Sequence, residues 1–189
     1  IRREVRKFAR TEIAPVALEL DETETFSPAL TRKMGEIGLF GMFVPEAYDG
    51  QAMDYLSYII ATEEIALVDG SHAATVAAEN SLGIGPIYYF GNEEQKQKYL
   101  TRLATGEIIG AFCLSEPEAG SDATSQKTTA LDKGDHYVLN GTKNWITNGN
   151  SSSVCLVMAQ TDVEKKHRGI NCLIVEKDME GFVVGKKEE

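Results

Sequence analysis

The hydrophobic pattern of this chain changes period near Gly106-Glu107, so no single repeated element can account for both halves. Before that point apolar residues return at helical spacing. Val5, Phe8, Ala9, Ile13, Val16 and Leu20 form one such run. Pro15 should kink or divide it, because proline lacks the N–H that an interior turn needs. Ser27-Pro28 reads as the N-cap and first residue of a second helix, with Leu30, Met34 and Ile37 inward and Gly38 closing it. Asp54 caps a third helix through Leu56, Ile59, Ile60, Ile65 and Val68, broken at Asp69-Gly70-Ser71. An alanine-rich helix over 73–78 follows. Asn92-Glu93-Glu94-Gln95 is a capping box ahead of Tyr99, Leu100 and Leu103, and Gly106 should end that helix.

From Ile108 onward short β-prone runs alternate with turns, at 108–114, 126–131, 137–139, 142–147, 154–160, 170–176 and 182–184. Lys133-Gly134-Asp135 and Asn140-Gly141 are hairpin signals. The pattern implies an α+β chain. An all-helical domain over residues 1–106 precedes a small antiparallel β-barrel or sandwich domain over 107–189.

Charge and cysteine usage exclude several classes. A formal net charge of -10 argues against a nucleic-acid partner, which would want a basic face. No apolar run approaches the roughly 20 residues of a membrane-spanning helix. Cys113, Cys155 and Cys172 are isolated and odd in number, and His72, His136 and His167 are scattered. Neither a metal site nor a disulfide framework is expected, and a reducing compartment fits. Gly83-Ile84-Gly85 lacks the third glycine and the preceding strand of a dinucleotide fingerprint. Glu63-Glu64, Glu93-Glu94 and Glu188-Glu189 read as solvated charges. The chain opens at Ile1 without an initiator methionine or signal peptide, so an upstream segment is expected to be missing.

Two stretches carry candidate chemistry. Residues 112–125 read F-C-L-S-E-P-E-A-G-S-D-A-T-S, an apolar strand end running into a turn cluster at Pro117, Gly120, Ser121 and Asp122. Consecutive N–H groups in such a turn form a concave nest for an anion, and Ser115 and Ser121 add hydroxyls. Taken alone it reads as a polar surface loop as well. Residues 141–149 read G-T-K-N-W-I-T-N-G and hold the only tryptophan. On a strand, Trp145 and Thr147 would share one face, as would Phe112 and Leu114. An aromatic surface beside a hydroxyl suits a flat heterocycle, although Trp145 also reads as a core or hairpin aromatic. Together the stretches ask for a planar, phosphate-bearing ligand.

The wording of both resembles the acyl-CoA dehydrogenase family: Leu114-Ser115-Glu116-Pro117 followed by Gly120-Ser121-Asp122, then Trp145-Ile146-Thr147. The resemblance runs along the whole chain and looks most like the short-chain or butyryl branch. It implies FAD as cofactor, held by Phe112, Cys113, Leu114, Ser115, Gly120, Ser121, Trp145, Ile146 and Thr147, with Thr147 near the reactive ring nitrogen. It implies that Ser121 also touches the pantetheine arm of an acyl-CoA substrate. Asn80-Ser81-Leu82-Gly83 is similar to a segment at the floor of the acyl pocket. Glu118 and Ala119 stand where the family usually has small residues, which adds a charge near the nest. The implied reaction is α,β-dehydrogenation of the thioester, an α-proton leaving to a carboxylate and a β-hydride to flavin. That base belongs to a C-terminal helical domain of the family expected beyond Glu189. The catalytic residue is therefore unassigned, and residues 1–189 by themselves are expected to be inactive. By the same resemblance the electron acceptor is an electron-transfer flavoprotein and the assembly a homotetramer. The setting is the bacterial cytoplasm or the mitochondrial matrix. An acyl-CoA oxidase, or a module that binds FAD or CoA without turnover, would carry the same motifs.

Overall fold

The computed structural model describes residues 1–186. The Glu188-Glu189 pair lies outside them. The chain forms two compact units, Ile1–Ile109 and Gly110–Glu189.

The first unit is helical: α1 (Arg2–Phe8), α2 (Ala14–Glu22), α3 (Pro28–Glu36), α4 (Tyr55–Ala66), α5 (Gly70–Ala78), α6 (Gly85–Phe90) and α7 (Glu93–Ala104). Pro15 divides the first run as expected, through a π turn over Ala9–Ile13 that leaves the proline in the first turn of α2. The same device recurs at Pro86, where a π turn over Glu79–Ile84 joins α5 to α6. Proline offers no N–H and its ring crowds the carbonyl one turn back. Widening that turn relieves the crowding while the helix continues.

The caps fall where the side chains ask for them. Ser27 Oγ accepts from Leu30 N at 3.3 Å, and Asp54 Oδ1 from Ser57 N at 2.8 Å. The Asn92–Gln95 box is complete, at 2.8 and 2.9 Å. The inner face of α4 differs from the sequence reading. Ile65 is buried as read, but its buried companions are Tyr58 and Ala61, while Leu56 and Ile59 are exposed. Ile37 is exposed too, because Gly38 turns the chain at φ 77° and sends Leu39 and Phe40 into the core instead.

Two polar clamps hold this unit together. Asn80 is fully buried; its Nδ2 donates to Leu39 O (2.8 Å) and Val76 O (2.9 Å), and its Oδ1 accepts from Met42 N (3.0 Å). The connector after α3, which has no ladder of its own, is thereby fixed to the π turn. Glu64 on α4, its side chain wholly enclosed, accepts from Arg6 (2.6 and 2.8 Å) and Arg2 (2.5 Å). The Arg6 bonds chiefly, then burial in opposition, then Arg2, bring its carboxyl down to about 2. Folded below its ordinary value, this group stabilises the fold above pH 4.5, and that contribution is lost as pH falls toward 2.

The second unit is a five-stranded sheet: β1 (Gly110–Cys113), β2 (Thr129–Asp132), β3 (Tyr137–Asn140), β4 (Val154–Gln160) and β5 (Ile170–Glu176). The order of helices then strands stands, but the sheet is mixed where antiparallel pairing was expected. β4 runs parallel to β1 and β2 and antiparallel to β5. Parallel pairing needs a long connection, and the chain between β1 and β4 supplies one. Among the strands of the described residues, β2–β3 and β4–β5 are the antiparallel pairs.

The β2–β3 hairpin turns at Gly134 (φ 97°), where Lys133 N donates to His136 O at 2.9 Å. Asn140-Gly141 is not a hairpin turn. Gly141 is there because the backbone passes against Thr128; a Cβ would lie 2.2 Å from Thr128 Oγ1. Residues 182–184 form no strand. Phe182 instead packs on the core made by Ala111, Cys113, Cys155 and Val157, together with Leu139, Ile146 and Val175. Among the described residues, no helix is long and apolar enough to cross a membrane, and no three His, Cys, Asp or Glu side chains are placed to hold a metal.

Replacing Asn80 with alanine leaves Met42 N–H and Leu39 C=O buried without partners. We expect a loss of about 3 kcal/mol of unfolding free energy, read as a lower urea midpoint at an unchanged slope.

Candidate functional site

β5 covers one edge of β4 along its whole length, so β1 and β2 share the other. The chain leaves that edge after Cys113, opposite Val157, and returns at Thr129, opposite Gln160. Between them residues 114–128 swing out as a loop whose ends lie close together. The first candidate stretch is this excursion.

Glu116 closes its neck. Its carboxylate accepts from Lys127 N (2.5 Å) and Thr128 N (3.1 Å), and its backbone exchanges two bonds with Ala119 (3.0 and 3.1 Å). Lys143, from the second stretch, donates to Glu116 Oε1 (2.7 Å), Leu114 O (3.0 Å) and Gln126 Oε1 (3.1 Å). All three ammonium protons are used. The two side chains are only 10% and 2% exposed. Burial alone would raise the Glu116 carboxyl, but the Lys143 ammonium and the N–H groups of Thr128 and Lys127 hold it down at about 2. It stays an anion engaged in structure, unfit to take a proton from a substrate.

Asn144 N donates to Ser115 O (3.1 Å) and Asn148 Nδ2 to Gly110 O (3.2 Å). The two stretches, separated by the β2–β3 hairpin in sequence, are thus one piece of surface. Sequence reasoning missed Lys143. Its signal was parity: on an extended run it shares a side with Trp145, and a lysine beside an aromatic invites the question of what it bonds.

Residues 142–147 do not form the expected strand. Trp145 sits at φ 57° and Asn148 at φ 63°, so side-chain alternation is broken and the shared strand face of Trp145 and Thr147 does not exist. Local packing explains the break. Ile146 is drawn onto the unit core, while Trp145 is turned out with 70% of its surface exposed. A left-handed tryptophan strains the backbone by about 1–3 kcal/mol, and exposing the indole wastes its apolar area. Nothing among the described residues of this unit repays either.

The other expected site residues divide into two groups. Cys113 and Ile146 face the core, and the Cys113 thiol is pushed up by neighbouring Cys155 and by burial, which makes it inert. Phe112, Leu114 and Ser115 are half-buried on the outer side, and Gly120, Ser121 and Thr147 are exposed. The N–H groups of Gly120 and Ser121 take no partner among the described residues. Asp122 stiffens the loop just after them, accepting from Thr124 Oγ1 (2.6 Å) and Ser125 Oγ (2.5 Å). Asn144 Oδ1, next to the tryptophan, is buried without a hydrogen-bond partner. An uncovered aromatic, free hydroxyls and two free N–H groups fit a flat ring with an anionic tail, so the residues present suit a flavin nucleotide.

Lys143→Met leaves the Glu116 carboxylate buried without its counter-ion. We expect a loss of about 3 kcal/mol in urea unfolding near neutral pH. In the unsubstituted protein the Glu116 contribution is complete above pH 4.5 and disappears as pH falls toward 2. The penalty of the substitution should therefore shrink in acid.

The family model described as acyl-CoA dehydrogenase, N-terminal domain, matches residues 1–107, and that of the middle domain residues 111–189. The short-chain specific acyl-CoA dehydrogenase of Clostridium acetobutylicum is 46% identical over 189 residues, covering 100% of this chain and 50% of that protein. Butyryl-CoA dehydrogenase from Megasphaera elsdenii superposes with a TM-score of 0.94 at 39% identity, over 100% of this chain and 51% of that one. Glutaryl-CoA dehydrogenase from Mycobacterium smegmatis, in complex with FADH2, gives 0.93 at 36% identity, over 99% and 47%. The chain spans about half the length of the curated relatives it matches.

Proposed function

The chain belongs to the acyl-CoA dehydrogenase family, and from that membership we propose that it is the flavin-binding portion of an enzyme that desaturates short-chain acyl-CoA thioesters. The observation that carries the reading is Trp145, held left-handed and exposed on a surface that the Lys143–Glu116 pair makes rigid. When bound, FAD supplies the two-electron acceptor for removing hydrogen from the α and β carbons.

The chain's own residues bind and orient. Trp145 offers a stacking face, and the Thr147 and Ser115 hydroxyls can reach ring-edge atoms. The N–H groups of Gly120 and Ser121 suit the diphosphate, with Ser121 also available to a pantetheine arm. Phe112 and Leu114 shield the ring from water. Cys113 and Ile146 contribute from below, by anchoring their segments in the core.

Among the carboxylates of these two stretches, Glu116 is committed to Lys143, Asp122 to Thr124 and Ser125, and Glu118 lies on an exposed turn. The proton-abstracting base is assigned outside both. The remaining parts of the reading follow family membership: a domain boundary near Gly106, a homotetramer, an electron-transfer flavoprotein as acceptor, and a bacterial or mitochondrial matrix setting.

The test uses the full-length protein. It should purify yellow with FAD and be bleached anaerobically by butyryl-CoA, with slow reoxidation in air. Rapid reoxidation by oxygen would mark an oxidase instead. Trp145→Ala should weaken FAD by about 1 kcal/mol beyond the area lost, measured by flavin release on dilution. A well-folded protein that neither retains nor takes up FAD overturns the reading.

A further inference from the structure

Asn144 lies between two of the residues read above as facing the flavin ring. It precedes Trp145 in the chain, and its backbone N–H donates to Ser115 O at 3.1 Å. We propose that the Asn144 carboxamide oxygen accepts the N3–H of the isoalloxazine ring and so fixes the pyrimidine edge of the flavin beside Trp145. The inference rests on the flavin reading above and adds to it a residue and an orientation.

The observation is an acceptor with nothing to accept. Asn144 Oδ1 is buried and has no hydrogen-bond partner, and among the described residues the carboxamide forms no bond at its other end either. Water does not reach the oxygen, so its lost hydration goes uncompensated in the protein alone. An apolar side chain of similar size would leave no such orphan. Thr128 Oγ1 and Gln160 Oε1 are comparable oxygens of the same unit. The first is shut in by the Gly141 backbone, where a Cβ would lie 2.2 Å away, and the Gln160 amide is held by its bond to Lys166 O at 2.8 Å. Of the three, Asn144 is the one that adjoins the exposed indole.

The segment has little freedom to turn away. Lys143 points into the neck of the loop and meets three acceptors there, while Ile146 is drawn onto the core. Residue 144 is thus pinned from both sides, and Trp145 leaves the alternation at φ 57°. Neighbouring side chains of an extended pair take opposite faces. The left-handed residue removes that opposition, so carboxamide and indole can meet one ligand.

Chemistry selects the partner. The oxidised ring offers acceptors at N1, O2, O4 and N5 and a single N–H donor, at N3. Hydroxyls and backbone N–H groups suit the acceptors; an amide oxygen suits the donor. With Ser115 and Thr147 available to the acceptors, Asn144 gives the pyrimidine edge a partner of each kind, which the methylated end of the ring cannot match. A flat ring stacked on an indole can otherwise slide and turn in its own plane, and a directional bond ends that freedom.

The experiment compares FAD with its N3-methyl analogue, whose ring lacks the proton. Both are titrated into the full-length apoprotein and followed by flavin fluorescence. The unsubstituted protein should bind N3-methyl-FAD about tenfold more weakly than FAD, on the scale of one lost hydrogen bond with its acceptor left buried. Asn144→Ala should bind FAD about tenfold more weakly and hold the two flavins within about twofold of each other, the collapse of the difference being the coupling between side chain and proton. Its apoprotein should keep the urea midpoint of the unsubstituted apoprotein. A lowered midpoint makes the side chain structural and overturns the proposal. Equal affinity of the unsubstituted protein for both flavins also overturns it, with no variant needed. So does a preference for FAD that Asn144→Ala retains in full, which assigns the proton to another acceptor. FAD taken up without discrimination sinks the Asn144 assignment and leaves the flavin reading in place, whereas a folded protein that takes up neither flavin sinks both.

Discussion

The outer surface of the β unit depends on one buried ion pair. Residues 114–128 have no strand ladder to hold them, and 141–149 have none either. Lys143 and Glu116 substitute for it, joining Leu114, Gln126, Lys127 and Thr128 around two side chains. Apolar residues of the same volume could give comparable stability, since desolvating two charges offsets most of their attraction. They would not give the same geometry. An ammonium with three acceptors at fixed distances admits one arrangement of two segments, and Trp145 inherits its position from that arrangement.

Much of the helical unit was legible because its determinants are local. A cap involves residues three apart, so Ser27, Asp54 and Asn92 announce helix starts without knowledge of anything distant. Pro15 marks a division by its own chemistry. The errors came where burial is decided by a partner element. Leu56 and Ile59 fit a helical stripe as well as Tyr58, Ala61 and Ile65 do, and only the packing of α4 selects between them. The parallel pairing of β1 with β4 was hidden for the same reason, because nothing in either run specifies the direction of its neighbour.

The candidate site was legible as residue types and misread as geometry. Hydroxyls, glycines and one tryptophan in two short stretches pointed to a flat anionic ligand, and the comparisons support the family. The strand reading of 142–147 failed because β-propensity measures fit to a pleated surface, and this segment has no neighbouring strand to pleat against. Trp145 left the alternation when Ile146 took the inward position. The Asn140-Gly141 signal failed differently. A glycine demanded by close approach to Thr128 is indistinguishable in sequence from one demanded by a turn.

The central position of β4 has a consequence for how the chain is made. β1 emerges first and has no strand to pair with until Val154–Gln160 follows it, while β2 and β3 can close on each other at once. Throughout that interval β1 presents an open, apolar strand edge. Such edges template association between chains. The interval ends when β4 arrives and takes β1, β2 and then β5. Slower synthesis of the chain between residues 113 and 154 would lengthen the exposure, over a stretch that contains most of the candidate site.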